Sequence, residues 1–145
     1  MANQAAVAVE ALLGVNAKAG NTRLCLADAI MSGLPVSALD RLASAVAPGD
    51  ARFKFRLISK VTLDRRQKAA ARQLSGDEGN RLVRLAKFYV FALAIYRDSG
   101  NVRGFLNRPH AMLDGERPLN VALATDPGTD AVINLLGGTT YGGGA

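Results

Sequence analysis

Side chains that could support catalysis are sparse in this chain. His110 is the only histidine and Cys25 the only cysteine. A nucleophile needs a neighbouring base, and a zinc site needs several Cys or His ligands. His110 follows Pro109 in a predicted loop, where a surface or capping role is expected, and Cys25 is expected to be a small buried apolar residue. We therefore predict no catalytic residue, no metal site and no cofactor, and a small hydrolase or transferase is the least favoured class.

Positive charge is concentrated in one stretch. The net charge of the chain is +6, but residues 52–72 contain eight basic side chains and one acid, Asp64. Such a patch is typical of a protein that binds the phosphate backbone of nucleic acid. An anionic membrane or an acidic protein partner is the alternative. The basic residues are Arg52, Lys54, Arg56, Lys60, Arg65, Arg66, Lys68 and Arg72.

The pattern around this stretch predicts a helix-turn-helix. Asp50 can cap a helix over 51–58, residues 59–61 form a link, and Thr62 can cap a basic helix over 63–73. The N-terminal residues of the second helix would face bases in the major groove. A plain three-helix bundle with a basic face remains open.

Specific roles in DNA binding follow from side-chain chemistry. Arginine can pair with guanine through two hydrogen bonds, and threonine can touch a thymine methyl group, so the predicted base contacts are Thr62, Arg65 and Arg66. The predicted phosphate contacts are Lys60, Lys68 and Arg72.

The elements before this region are expected to be helical. A helix over 5–13 is predicted in an alanine-rich arm, and Thr22 can cap a second helix that ends at Ser32, before Gly33. Pro35 suits the first turn of the next helix.

The longest helix is predicted from a capping box. Ser75 and Glu78 have the required spacing, and the helix should run over 77–98 and end before Gly100. From residue 88 the helix is apolar on all sides, so it has more apolar surface than one core face can cover. We predict a dimer interface here, with a monomeric core helix as the alternative. The predicted dimer contacts are Phe88, Phe91 and Ile95.

Shorter helices follow, and then a glycine-rich end. Helices are predicted around Phe105, from Pro118 and from the Asp126-Pro127 cap, with a turn at Asp114-Gly115. Five of the last nine residues are glycine, and Tyr141 stands among them. Such a segment is not expected to hold a helix. It suits insertion into a partner's pocket, and a disordered end without function is the alternative.

One ordered series of motifs runs through the second half of the chain. It begins with Arg81-Leu82-Val83-Arg84-Leu85-Ala86 and continues with Phe105-Leu106-Asn107-Arg108-Pro109-His110, Leu113, Gly115, Arg117-Pro118-Leu119, Gly128, Val132, Leu135-Leu136 and Tyr141-Gly142. In order and spacing this series resembles the toxin-binding domain of the Xre/MbcA/ParS antitoxin family. Upstream, Leu34-Pro35-Val36 and Thr62-Leu63-Asp64-Arg65-Arg66 are similar to the family's helix-turn-helix.

The resemblance implies a function and partners. The partner would be a RES-domain toxin that consumes NAD or transfers ADP-ribose from it, and the antitoxin, which is not an enzyme, would block its active site. The antitoxin would form a homodimer and a larger hetero-oligomer with the toxin, and would repress its own operon by binding operator DNA. A stand-alone helix-turn-helix transcriptional regulator is the runner-up. The toxin contacts that the resemblance implies are Arg108, Tyr141, Gly142, Gly143 and Gly144.

These inferences combine into one expected architecture. The fold class is all-α, with an Xre-like helix-turn-helix bundle followed by a small helical toxin-binding domain that has a long central helix and a glycine-rich tail. The expected segments are a mobile or partly helical arm (1–20), a DNA-binding domain (21–74), a toxin-binding and dimerisation domain (75–136) and the tail (137–145). The chain opens without a signal-sequence pattern, and its longest apolar run is too short to span a bilayer, so a cytoplasmic protein without membrane contact is expected.

Overall fold

The computed structural model describes residues 9–14 and 22–140. Within these ranges the fold is all-α, as predicted: helices are joined by turns, and the only β-type pairings are two isolated bridges, Pro35 with Gln73 and His110 with Glu116. Residues 9–13 are also helical. The helices are α1 (Thr22–Ser32), α2 (Ser37–Val46), α3 (Lys54–Leu57), α4 (Lys60–Lys68), α5 (Gly76–Tyr96), α6 (Ser99–Asn107), a 3-10 turn (Ala111–Leu113), α7 (Pro118–Ala124) and α8 (Asp126–Thr140).

The chain divides into two compact units between Lys87 and Phe88, inside α5. The sequence analysis placed a boundary earlier, before the long helix. The difference has a physical cause, because the first turns of α5 are attached to the first unit. The Arg81 guanidinium donates a hydrogen bond to the Leu57 carbonyl, and the backbone at Gly79 lies close to the Leu34 side chain.

The core of the first unit is built on α2. Its apolar residues recur at helical spacing, and the side chains of Leu39, Leu42 and Val46 are buried. Phe53 and Leu57, one turn apart across α3, are buried as well. Removing this apolar surface from water is the main source of stability for such a small bundle.

A backbone connection joins two loops of this unit. The Leu74 amide donates to the Leu34 carbonyl at 2.7 Å, and the Val36 amide donates to the Arg72 carbonyl at 3.0 Å. Pro35 was predicted to lie in the first turn of α2. It instead lies opposite Gln73 in this pairing and precedes the helix, which begins at Ser37. The loop between α1 and α2 is thereby attached to the loop between α4 and α5.

The basic helix differs from its prediction at both ends. Ser59, and not Thr62, is its N-cap, since the Ser59 hydroxyl accepts a hydrogen bond from the Thr62 amide at 3.3 Å. The helix ends at Lys68, five residues before the predicted end, because Ala69 is extended and the chain must reach the pairing at Leu74. The helix before it is also shorter than predicted, because residues 51–53 form turns.

The N-terminus of α5 confirms the predicted capping box. The Glu78 amide donates to the Ser75 hydroxyl at 3.2 Å, and the Ser75 amide donates to a Glu78 carboxylate oxygen at 2.8 Å. The predicted end is wrong, because Gly100 lies inside α6. The left-handed backbone at Arg97 (φ 59°) ends α5, and Asp98 then caps α6 by accepting from the Asn101 amide at 3.0 Å.

In the second unit, α8 packs against α7 and α7 against α6. Thr125, and not Asp126, receives the capping hydrogen bond of α8, from the Gly128 amide at 2.9 Å. The Thr129 hydroxyl is buried and donates to the Ala122 carbonyl at 2.7 Å. A Cβ atom at Gly128 would overlap the Val121 carbonyl oxygen, so glycine permits the close approach of the two helices.

The last helix extends further than the composition suggested. It continues to Thr140, so residues 137–140 of the predicted tail are helical. Glycine costs about 1 kcal/mol per interior helical position. Val132 and Leu136, both fully buried, anchor the preceding turns, and elongation from a formed helix adds one hydrogen bond per residue.

The close approach at Gly128 gives the first prediction. Gly128→Ala should destabilise the second unit by about 1–3 kcal/mol, because the added methyl group forces α8 away from α7. Thermal unfolding followed by circular dichroism measures the effect. Gly104→Ala on α6 is the matched control, since a Cβ atom there meets no neighbour within 4 Å. A Gly128→Ala protein as stable as the control would contradict the packing argument.

Candidate functional site

The exposed face of α4 carries three side chains in one line. Leu63 is 2% exposed and fixes the inward face of the helix. Val61, Arg65 and Lys68 follow at helical spacing on the opposite side, and all three are exposed. Lys60 is exposed as well. Thus the predicted DNA-binding residues Lys60, Arg65 and Lys68 share an accessible surface, together with one valine that the sequence analysis did not assign.

Thr62 is used differently from its prediction. Its side chain is half-buried, and its hydroxyl accepts a hydrogen bond from the Ser59 hydroxyl at 2.9 Å. The residue therefore belongs to the capping arrangement of α4. A side chain engaged in this way is poorly placed to reach a base edge.

Arg66 is held by an acid from the next helix. Its Nε lies 3.1 Å from Glu78 Oε1 and its Nη2 lies 3.3 Å from Glu78 Oε2, a two-bond contact. Partial burial opposes ionisation of Glu78, but hydrogen bonds from the Ser75 amide and Arg66, with the Arg66 charge, lower its pKa below the ordinary value. This pair joins α4 to the capping box of α5, so the contact positions the basic helix.

The preceding helix also has internal partners for its basic side chains. Lys54 lies 3.5 Å from an Asp40 carboxylate oxygen and 5.5 Å from the centre of the Phe55 ring. The Arg56 guanidinium lies 6.0 Å from the centre of the Phe53 ring, and Phe53 itself is buried. Such cation–aromatic contacts hold the charges against the helix that carries them.

Arg72 lies outside the basic helix. It is exposed, in the loop after α4, and its backbone is left-handed with φ 49°. Its carbonyl is held by the Val36 amide. The predicted phosphate contact is therefore carried by a loop with a fixed backbone, and its side chain is exposed to solvent.

The predicted dimer contacts divide into two groups. Phe88 is fully buried within the chain, so its side chain cannot reach another molecule. Phe91 and Ile95 are half-buried, as is Val90, and Ala94 is exposed. These four residues form one apolar face on the C-terminal half of α5.

The second unit presents an aromatic cluster beside its loop. The ring centres of Tyr96 and Phe105 are 5.7 Å apart, and those of Phe105 and His110 are 6.4 Å apart. Burial raises the pKa of Tyr96 above its ordinary value, and the charge of Arg108 opposes this rise. Arg108 itself is exposed. The predicted toxin contact thus lies next to aromatic side chains.

His110 has the capping role that was expected of it. Its Nδ1 accepts a hydrogen bond from the Met112 amide at 3.1 Å, at the start of the 3-10 turn. The turn at Asp114 and Gly115 is confirmed, with both residues at positive φ. Met112 is 75% exposed, which could not be predicted from the sequence because methionine is an apolar residue type.

Other predicted residues cannot be placed. Tyr141, Gly142, Gly143 and Gly144 lie outside the described residues, and so does most of the N-terminal arm. Within 9–14 and 22–140, no group of three or more His, Cys, Asp or Glu side chains could hold a metal ion. None of the helices in these ranges combines the length and apolar character needed to cross a membrane.

Comparison with known protein families identifies two adjacent matches. Residues 26–87 match the antitoxin Xre-like helix-turn-helix domain, and residues 91–142 match the antitoxin Xre/MbcA/ParS C-terminal toxin-binding domain. The two matches meet close to the division between the compact units at Lys87 and Phe88. A comparison with curated proteins found no match.

The Arg66–Glu78 contact gives the second prediction. Glu78→Gln retains an oxygen for the Ser75 amide but removes the charge, and should cost about 1 kcal/mol at pH 7. Because the pKa of Glu78 is lowered in the folded protein, its stabilising effect is present above the unfolded pKa and is lost as the pH falls through the folded pKa. Urea unfolding should therefore show the difference between the two proteins shrinking below about pH 4, the usual range of Glu.

Asp64→Asn provides the control for this experiment. It removes an exposed carboxylate from α4, the helix that carries Arg66, and should change stability by less than about 0.5 kcal/mol. A Glu78→Gln deficit that persists unchanged in acid would show that the ion pair is not its cause.

Proposed function

The chain belongs to the Xre family of antitoxins, and from this premise we propose that it neutralises a RES-domain toxin and represses the operon that encodes the pair. The observation that carries the proposal is the order of the two matches, a DNA-binding domain followed by a toxin-binding domain on one chain. The antitoxin acts by binding and has no catalytic role of its own. Its toxin would be an enzyme that consumes NAD or transfers ADP-ribose from it.

DNA binding is assigned to the exposed face of α4. Arg65 is the proposed base contact, because it is exposed and can pair with guanine through two hydrogen bonds. Lys60, Lys68 and Arg72 are the proposed phosphate contacts. Thr62 and Arg66 support the helix through Ser59 and Glu78, so they act as positioning residues.

Toxin binding is assigned to the second unit and to the residues that follow it. The segment after α6 carries Arg108 and Met112, both exposed, and so offers one charged and one apolar side chain to a partner. Helix α8 leads to Thr140, directly before Tyr141 and Gly142–Gly144. We propose that these last residues enter the active-site cleft of the toxin, where glycine allows close approach and Tyr141 fills a pocket.

Self-association is assigned to the C-terminal half of α5. Phe91 and Ile95, one helical turn apart, lie on the half-exposed apolar face described above, together with Val90 and Ala94. A second copy of the chain that covers this face would remove it from water. The proposed assembly is a homodimer that forms a larger complex with the toxin.

A stand-alone transcriptional regulator is the second candidate. The basic face of α4 supports it equally well, because DNA binding alone explains that face. Co-expression with a RES-domain toxin distinguishes the two, since a stand-alone regulator would neither co-purify with the toxin nor rescue growth.

The third prediction concerns DNA. A duplex selected from a random library by the full chain serves as the probe. Arg65→Ala should weaken binding to this duplex about tenfold, with little change on unrelated DNA. Lys68→Ala should weaken binding to both, and should reduce the slope of log affinity against log salt by about 1.

Two control proteins complete the DNA measurement. Arg103→Ala, on α6, removes a positive charge from the second unit and should bind as the parent does. Arg66→Ala should lower thermal stability, since it leaves Glu78 without its ion-pair partner. An unchanged salt slope for Lys68→Ala would show that Lys68 does not contact DNA phosphates.

The fourth prediction concerns the toxin. A protein that stops at Thr140 should fold with α8 complete but should fail to rescue cells that express the toxin, and Tyr141→Ala should weaken rescue. Growth assays and co-purification measure the two effects, with circular dichroism to verify folding. Full rescue by the shortened protein would refute the proposed role of the terminal residues.

A further inference from the structure

Val61 is the most exposed apolar side chain of the basic helix. It is 80% exposed, at the second position of α4. Valine is a poorer helix former than alanine, and an exposed valine methyl group gains nothing from the core. Neither helix formation nor packing therefore accounts for valine at this position.

The residues around Val61 indicate which chemical group of a partner it could contact. Arg65 and Lys68 follow on the same face, one and two turns along, and Leu63 on the opposite face is buried. An N-terminal side chain on such a face would approach base edges when the helix lies in the major groove. The apolar group that DNA presents there is the C5-methyl group of thymine.

Two of the three residues that were predicted to contact bases, Thr62 and Arg66, are engaged within the chain. The Thr62 hydroxyl accepts from Ser59, and Arg66 is paired with Glu78. The exposed side chains Val61 and Arg65 are left to face the bases.

We propose that Val61 is a specificity-determining residue that packs against a thymine methyl group in the major groove, next to a base contact made by Arg65. This inference rests on the proposed DNA binding. It predicts that the chain distinguishes thymine from uracil, which differ only by that methyl group, at one position of each half of its binding site.

Replacing thymine with uracil in the selected duplex, one position at a time, tests the proposal. The parent protein should lose about fourfold in affinity at one position in each half of the site, the amount expected from one buried methyl group. Val61→Ala should bind the thymine duplex more weakly and should be insensitive to uracil at that same position. Alanine is the best helix former, so this variant should fold.

Met31→Ala is the matched control, because Met31 is an equally exposed apolar residue on α1. It should retain the fourfold loss of the parent. Equal sensitivity to uracil in the parent and Val61→Ala, or no sensitivity in the parent at any position, would overturn the role of Val61. Failure of the chain to enrich any duplex and to bind DNA in a salt-dependent way would instead overturn the proposed DNA binding itself.

Discussion

The contact between Arg66 and Glu78 connects the basic helix α4 to the capping box of α5. Glu78 accepts from the Arg66 guanidinium and from the Ser75 amide at once, so one carboxylate both caps α5 and holds α4. A paired, hydrogen-bonded arginine and carboxylate is directional, because the planar guanidinium permits few geometries. The orientation of α4, and with it the face that carries Val61 and Arg65, therefore depends on an acid in the next helix.

The backbone pairing between Leu34 and Leu74 supplements this contact. It attaches the loop before α2 to the loop before α5. In the sequence, the first of these loops precedes the basic helix and the second follows it. The chain from Ala69 to Leu74 must be extended or turned to reach it, which shortens α4 and brings Arg72 into a loop. A short helix that is anchored toward its C-terminal end by both contacts suits a surface that must present side chains in a fixed arrangement.

The second unit uses close packing in place of an ion pair. Gly128 allows α8 to approach the backbone of α7, and the Thr129 hydroxyl satisfies a carbonyl within the same contact. This hairpin supports the helical turns that lead to Thr140. A rigid base for the terminal residues would reduce the entropy that they lose when they bind a partner.

Much of the architecture follows from the sequence alone, because its causes are local. The capping box at Ser75 and Glu78, the turn at Asp114 and Gly115, and the apolar spacing of α2 are interactions between residues within one or two turns of each other. The all-α class and the antitoxin family could be recognised for the same reason, since short motifs carry them. Local pattern also located the basic segment correctly.

What only the tertiary structure decided depends on residues distant in sequence. Nothing near Arg66 indicates a partner twelve positions away, so its use as a positioning residue could not be read from charge. The end of α4 is set by a pairing with Leu34, and the exposure of Val61 is set by the burial of Leu63. The sequence alone therefore determined which residues are basic, apolar or capable of capping. Packing decided which of them remain available to a partner, because each contact within the chain removes a side chain from the surface.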